Sequence, residues 1–369
     1  MPLIIVLMTL LLSACNTSEH QTKSEADYDA VVGGHGHNAF PSLQAAIDAA
    51  PKDETVHYRI LVKPGRYKEK VNILRSNVTI RGDKATNTLL YFDAYAGNSR
   101  HYRADKWGTP GSATLSINAT DVSISDITIE NTFDYLTNDA KQASKDPSAI
   151  SEGQAVAVLL DTASDRVSFN RVVLNGYQDT FFANGYRAYF RESTISGNVD
   201  FIFGKGTVVF EKSKIVTRPR NSPFSAGEIQ SFVTAPSTDI TSAHGLTFIN
   251  CVLTREQGVP DRSITLGRPW HPTTTFPDGR YADPKAIGKT VFINTFMDRH
   301  INEDGWSSMP GTARDGTKTL IFTPDKSRFY EYKSTGPGAA VNAKRPQISE
   351  EEVANYSVAK ILGDWYPKL

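Results

Sequence analysis

The sequence holds two cysteines in 369 residues, Cys15 and Cys251. No framework of disulfides can therefore hold the fold, and stability has to come from packing. It has no net charge, with 40 basic residues against 40 acidic ones. Neither nucleic acid nor an anionic membrane surface is an expected partner, and any attraction for an acidic polymer must come from where single Arg and Lys side chains stand. No cluster of His, Cys and acidic residues has metal-ligand spacing, so no metal or other cofactor is expected. A sustained 3.6-residue apolar period is missing from the middle of the chain, which argues against a helical bundle.

Long apolar runs are missing too, except at the start. Leu3 to Leu12 is too short to span a bilayer and has the length of a signal-peptide core, although no Lys or Arg precedes it. Leu12-Ser13-Ala14-Cys15 resembles the lipobox of bacterial lipoproteins, in which the cysteine is acylated and opens the mature chain. The expectation is a signal peptide over 1–14, a polar tether over 15–27 and a single domain over 28–369. Lipid on Cys15 would be the only membrane contact, and Asn16 after it favours an outer-membrane location, facing periplasm or surface, over plain secretion. A single copy is the expected unit.

What the chain has in quantity is short alternating runs of Val, Ile, Phe and Thr, separated by Gly and Asn. One template, with inward residues at offsets 0, 2, 5 and 7, fits Val122, Ile124, Ile127 and Ile129. It also fits Val167, Phe169, Val172 and Leu174; Ala188, Phe190, Ser193 and Ile195; Val208, Phe210, Ser213 and Ile215; and Leu246, Phe248, Cys251 and Leu253. A weaker copy is Val291, Ile293, Phe296 and Asp298. The spacings, near one or two units of slightly over twenty residues, are those of a solenoid. Two alternating pairs with a phase slip describe strand, corner and strand, so the predicted fold is all-β, a right-handed parallel β-helix. Its open ends need covers. Pro41–Ala50 has helical spacing and Ser349–Glu352 has capping-box spacing. The segments 132–152 and 254–290 are left as loops that could wall a cleft. Gly33-Gly34-His35-Gly36-His37 precedes the first coil and reads as a turn.

Within this repeat Asp179 lies 12 residues after Val167, and Asp200 lies 12 residues after Ala188. Equal offsets in consecutive coils put two carboxylates at strand spacing, ~4.8 Å, on one face. Asp200 sits in Gly197-Asn-Val-Asp-Phe-Ile-Phe-Gly204, an apolar stretch where a carboxylate is costly unless something pairs with it or uses it. Close like charges cannot both ionise cheaply, and such pairs usually do acid–base or nucleophilic work. On the repeat alone, a ladder of turn-capping aspartates remains open.

Five motifs occur in order: Gly65-Arg-Tyr-Lys-Glu69, Gly153-Gln-Ala-Val-Ala157, Gln178-Asp-Thr180, Asp200-Phe-Ile-Phe-Gly204 and Leu266-Gly-Arg-Pro-Trp270. Together they resemble the pectin methylesterases of the carbohydrate-esterase type. Phe181-Phe182, where Leu and an aromatic are usual, and Val158, where Leu is common, depart from the pattern without touching its polar residues. The resemblance implies that Asp200 attacks the C6 methyl-ester carbonyl of a galacturonate unit. It implies that Asp179 serves as general acid and then base, Gln178 donates to the oxyanion with Gln154 in support, and Arg268 holds Asp200 ionised. Trp270 and Phe203 would wall the sugar rings, with Thr273, Thr114 and Arg220 as further substrate contacts. Methyl-esterified homogalacturonan or its oligomers would be the partner. Tyr67 and Glu69 would secure a turn between coils.

Three rivals share the scaffold. A retaining glycoside hydrolase also uses paired carboxylates, yet it needs no oxyanion donor beside its acid, where Gln178 stands. A calcium-dependent lyase would want further acidic ligands. A non-catalytic pectin-binding surface protein would have no use for Gln178, Asp179, Asp200 and Arg268 together.

Overall fold

The computed structural model describes residues 24–98 and 107–367; Cys15 and the segment around it lie outside the described residues. Three parallel sheets of eleven, eight and seven strands form the body. In each sheet the hydrogen-bonded neighbour of a strand is the one a full coil later, as in 120–125, 165–170, 187–191, 207–211 and 246–249. Parallel strands joined this way wind right-handed. The chain is a right-handed parallel β-helix.

The repeat sets the core. Val122 pairs with Val167 and Ile124 with Phe169, then Phe169 with Phe190, Phe190 with Phe210 and Phe210 with Phe248. The rings at this offset stack coil on coil, with centroids 4.3, 4.9 and 4.6 Å apart from Phe169 through Phe190 and Phe210 to Phe248. Cys251 is buried in the same core, and burial pushes its thiol up to about 12, so it packs as a small hydrophobe.

The coil of the weaker copy differs from the template by one residue. Leu246 pairs with Thr290, Phe248 with Phe292 and Leu253 with Met297, so Thr290, Phe292 and Met297 point inward where Val291, Ile293 and Asp298 were expected. Val291 and Ile293 face outward and stay buried, under Tyr356, Ile361 and Leu362 of the C-terminal helices. A covered outer face makes both sides of that strand apolar, and alternation then no longer reveals the phase.

Both ends are covered as expected. Helix Leu43–Asp48 starts at Ser42, whose hydroxyl accepts the Ala45 N–H at 3.1 Å. The Glu69 carboxylate accepts the Leu43 and Gln44 N–H groups at 2.9 and 3.1 Å. Two orphan donors of the first turn are thus satisfied from the neighbouring coil, while the Tyr67 hydroxyl donates to the Lys63 carbonyl at 2.9 Å. At the other end Ser349 and Glu352 close a capping box. Residues 33–38 form the turn between strands Ala30–Val32 and Ala39–Phe40. Behind the last coil, Arg345 and Glu331 are fully buried and paired through two bonds of 2.6 and 2.7 Å.

Candidate active site

The seven-stranded sheet presents the site on its outer face. Strands Phe181–Ala183 and Val199–Gly204 run in register, Phe181 opposite Ile202 and Phe182 opposite Phe203. The same 21-residue step carries Asp179 to Asp200. Asp179 donates its backbone N–H to the Val199 carbonyl at 3.1 Å. Both aspartates have left-handed backbone, φ 66° and 51°, a region that Asp tolerates better than most residues. The pairing with the next strand slips between Val199 and Ile202, a bulge of the kind that re-aims a side chain out of its ladder. Gly197 keeps the preceding corner open, since a Cβ there would come within 2.3 Å of the Phe201 Cβ.

Arg268 follows strand Ile264–Gly267, one further strand along the sheet. Its Nε donates to Asp200 Oδ1 at 2.8 Å and its Nη2 to Oδ2 at 2.6 Å. The back of the guanidinium lies over the Phe232 ring, 3.8 Å from the centroid. This fork fixes the Asp200 carboxylate in one plane. Asp179 is buried without such a grip, and its pKa is raised well above the carboxylate range by burial and then by the Asp200 charge, with Arg268 opposing. The buried pair therefore holds an ionisable acid next to an oriented carboxylate.

Gln178 and Gln154 are half-buried on adjoining coils: the Ala155 N–H donates to the Gln178 carbonyl at 3.3 Å. Neither side-chain amide is held in a hydrogen bond among the described residues. Trp270 is half-buried and packs edge-on against Phe203 and Phe182, at 5.6 and 6.1 Å, while those two rings stack at 4.2 Å. Phe203, only 4 % exposed, is the floor beneath Trp270 more than a wall. Thr273 opens a hairpin, 273–276 with 279–282, and hydrogen-bonds Thr312 at 2.7 Å between hydroxyls.

Two expected contacts have other work. Thr114 has no exposed surface, and its hydroxyl donates to the Glu130 carbonyl at 3.0 Å, so its side chain has no surface to offer a substrate. Arg220 is spent on Asp139: its Nη2 donates to Oδ1 at 2.6 Å, and Asn221 and Ser222 donate their N–H groups to Oδ2 at 2.8 and 2.7 Å. Arg220 is a clamp that remains about a quarter exposed in its side chain.

Asp139 lies on a helix, Tyr135–Ala143, inside the segment read as a loop. The helix walls one side of the site. Tyr135 stacks on Tyr177, at 5.2 Å with ring planes 7° apart, just before Gln178 and Asp179. Its start was legible in Asp134, which accepts the Thr137 N–H at 3.2 Å. Its buried face of Tyr135, Asn138 and Asp139 is mostly polar, so a search for an apolar stripe passes over it.

A sequence profile described as Pectinesterase matches residues 29–364. Pectinesterase A of Dickeya chrysanthemi is 43% identical over 365 residues, which is 98% of this chain and 97% of that protein. Among solved structures, a pectin methylesterase variant in complex with a hexasaccharide superposes with a TM-score of 0.88 at 43% identity, covering 93% of this chain and 99% of that one. The pectin methylesterase of Yersinia enterocolitica gives 0.83 at 46% identity, over 88% and 99%. With the paired aspartates, the arginine fork and the adjoining amides on the outer face of a parallel β-helix, the chain belongs to the pectinesterase family.

Proposed function

We propose that the protein hydrolyses the C6 methyl esters of galacturonate units in pectin with Asp200 as nucleophile and Asp179 as acid and base. The observation that carries this assignment is the contrast within the pair: Arg268 grips Asp200 at 2.8 and 2.6 Å, while burial and the Asp200 charge favour the protonated form of Asp179.

Asp200 attacks the ester carbonyl, and the electron pair displaced from the C=O bond forms an oxyanion that the Gln178 amide, supported by Gln154, stabilises. Collapse breaks the bond to methoxy oxygen, which takes the Asp179 proton and leaves as methanol. Asp179, now a base, takes a proton from water. The hydroxide oxygen attacks the acyl carbonyl, the bond to Asp200 breaks and Asp200 departs as carboxylate, and the carboxylic acid released gives its proton to solvent to become galacturonate. Trp270 over Phe203 offers an apolar face to the sugar rings, with Thr273 at the rim and the exposed part of Arg220 across the cleft.

Assay on methylated pectin and short methylated oligomers tests the reading. Methanol without new reducing ends is expected; new reducing ends without methanol would mean a glycoside hydrolase, and binding without turnover a non-catalytic pectin-binding protein.

The same proposal covers address and organisation: a signal peptide over 1–14, an acylated Cys15 and a tether leading to one catalytic domain, acting as a monomer at the outer membrane. No helix among the described residues is long and apolar enough to cross a membrane. If Cys15→Ser partitions into detergent as wild type does, the lipid anchor is wrong.

A further inference from the structure

We infer, on the basis of the esterase reading above, that Phe232 is a positioning residue for the reaction: its ring is the rail along which the Arg268 guanidinium reaches Asp200. Arg268 follows strand Ile264–Gly267, and Asp200 belongs to strand Val199–Gly204. Strand Ser231–Pro236 lies between them and pairs with both. At ~4.8 Å per strand, the arginine has to cross this middle strand to make its two bonds, and what it crosses is Phe232. That residue stands opposite Val199 on one side and Thr265 on the other. It belongs to none of the five sequence motifs.

The Arg268 Cζ stands over the ring, 3.8 Å from its centroid, while Nε and Nη2 donate to the two Asp200 oxygens. Backbone bonds hold both residues to their neighbours: the Arg268 N–H donates to the Thr234 carbonyl at 3.0 Å, and the Phe232 N–H to the Asn198 carbonyl at 3.3 Å. The ring suits this work by what it lacks. Its face attracts the cation, yet it carries no lone pair that could draw an N–H away from Asp200. A Ser or Asn in its place would offer an acceptor that competes for the fork, and a Leu would shield the guanidinium from water without attracting it.

The reaction makes such a support useful. Once Asp200 has become the acyl link it is an ester, and the charge that paired with Arg268 is gone. The ring keeps its attraction for the guanidinium through this stage, because its quadrupole does not change with the chemistry. The fork is therefore in place when Asp200 departs as carboxylate, and the next attack starts from an oriented nucleophile.

Methanol release from methylated pectin by Phe232→Leu, Phe232→Met and Phe232→Tyr tests the assignment. Leu and Met keep apolar bulk and lose the ring, so either one serves if the other fails to fold. Each should lower kcat about three- to thirtyfold, the worth of a partly desolvated cation–π contact, with KM little changed, and Phe232→Tyr should restore most of the rate. Combined with Arg268→Ala the ring has nothing left to hold, so Phe232→Leu should cost less than a further twofold there. A kcat for both Leu and Met variants within twofold of wild type would overturn the inference. So would a raised KM at unchanged kcat, which would make the ring a wall for sugar, or losses that multiply fully in the double variant. Absence of methanol release by wild type would instead sink the esterase reading.

Discussion

Arg268 binds both oxygens of Asp200, Nε to Oδ1 at 2.8 Å and Nη2 to Oδ2 at 2.6 Å. Two parallel bonds fix the plane of the carboxylate as well as its position, which a single ammonium cannot do. Arg268→Lys should keep the charge and lose that plane. The expected loss in kcat is about ten- to a hundredfold, the worth of one charge-assisted hydrogen bond, with KM little changed. A kcat within twofold of wild type would show that orientation of Asp200 is set by something else.

Asp179 should trade stability for activity. Its pKa is raised in the fold by burial and by Asp200, so the stability it contributes is fully present below its unfolded value near 3.8 and is lost as pH rises through the folded value. Near neutral pH, Asp179→Asn should melt at a higher temperature than wild type, with the advantage vanishing in acid. The same variant should lose at least about 10²-fold in methanol release, because an amide transfers no proton. A lower melting temperature for the variant at neutral pH would contradict the assigned burial cost.

His300 is a separate acid-sensitive point. It is fully buried, neither ring nitrogen has a hydrogen-bond partner among the described residues, and burial pushes its pKa down to about 4, against partial opposition from Asp298 3.8 Å away. A depressed folded value means the neutral ring's stability is present above the unfolded pKa and lost as pH falls toward 4. The loss amounts to about 3 kcal/mol. Denaturant titrations should show His300→Leu gaining on wild type by that order between neutral pH and pH 4; parallel pH curves for the two proteins would refute it.

The Arg345–Glu331 pair predicts an asymmetric response. Both side chains are fully buried, so Arg345→Met leaves Glu331 charged and alone, at a cost of about 3–5 kcal/mol. Adding Glu331→Leu should recover most of that loss. If the double variant were no more stable than Arg345→Met, the penalty would lie in packing and not in an orphaned charge.

The sequence by itself determined the coil. Alternation with a phase slip, repeated at twenty-odd residues, sets which side chains enter the stack from Val122 to Leu253, and equal offsets put Asp179 and Asp200 on adjacent coils, because one coil step is the same backbone spacing everywhere. The capped ends were legible for the same reason: Ser42, and Ser349 with Glu352, act on N–H groups a few residues away. Tertiary structure decided what depends on distant cover. The strand Lys289–Ile293 departs from the template's phase, with C-terminal helices burying Val291 and Ile293 from outside. Thr114 lost its place as a substrate contact because the Glu130 carbonyl takes its hydroxyl, and Arg220 became a clamp because a helix 81 residues earlier brings Asp139 to it. The bond between the Thr273 and Thr312 hydroxyls joins segments that neither the repeat nor any motif connects. Local periodicity records which face a residue shows its own coil; it holds no information on what other segment will lie across that face.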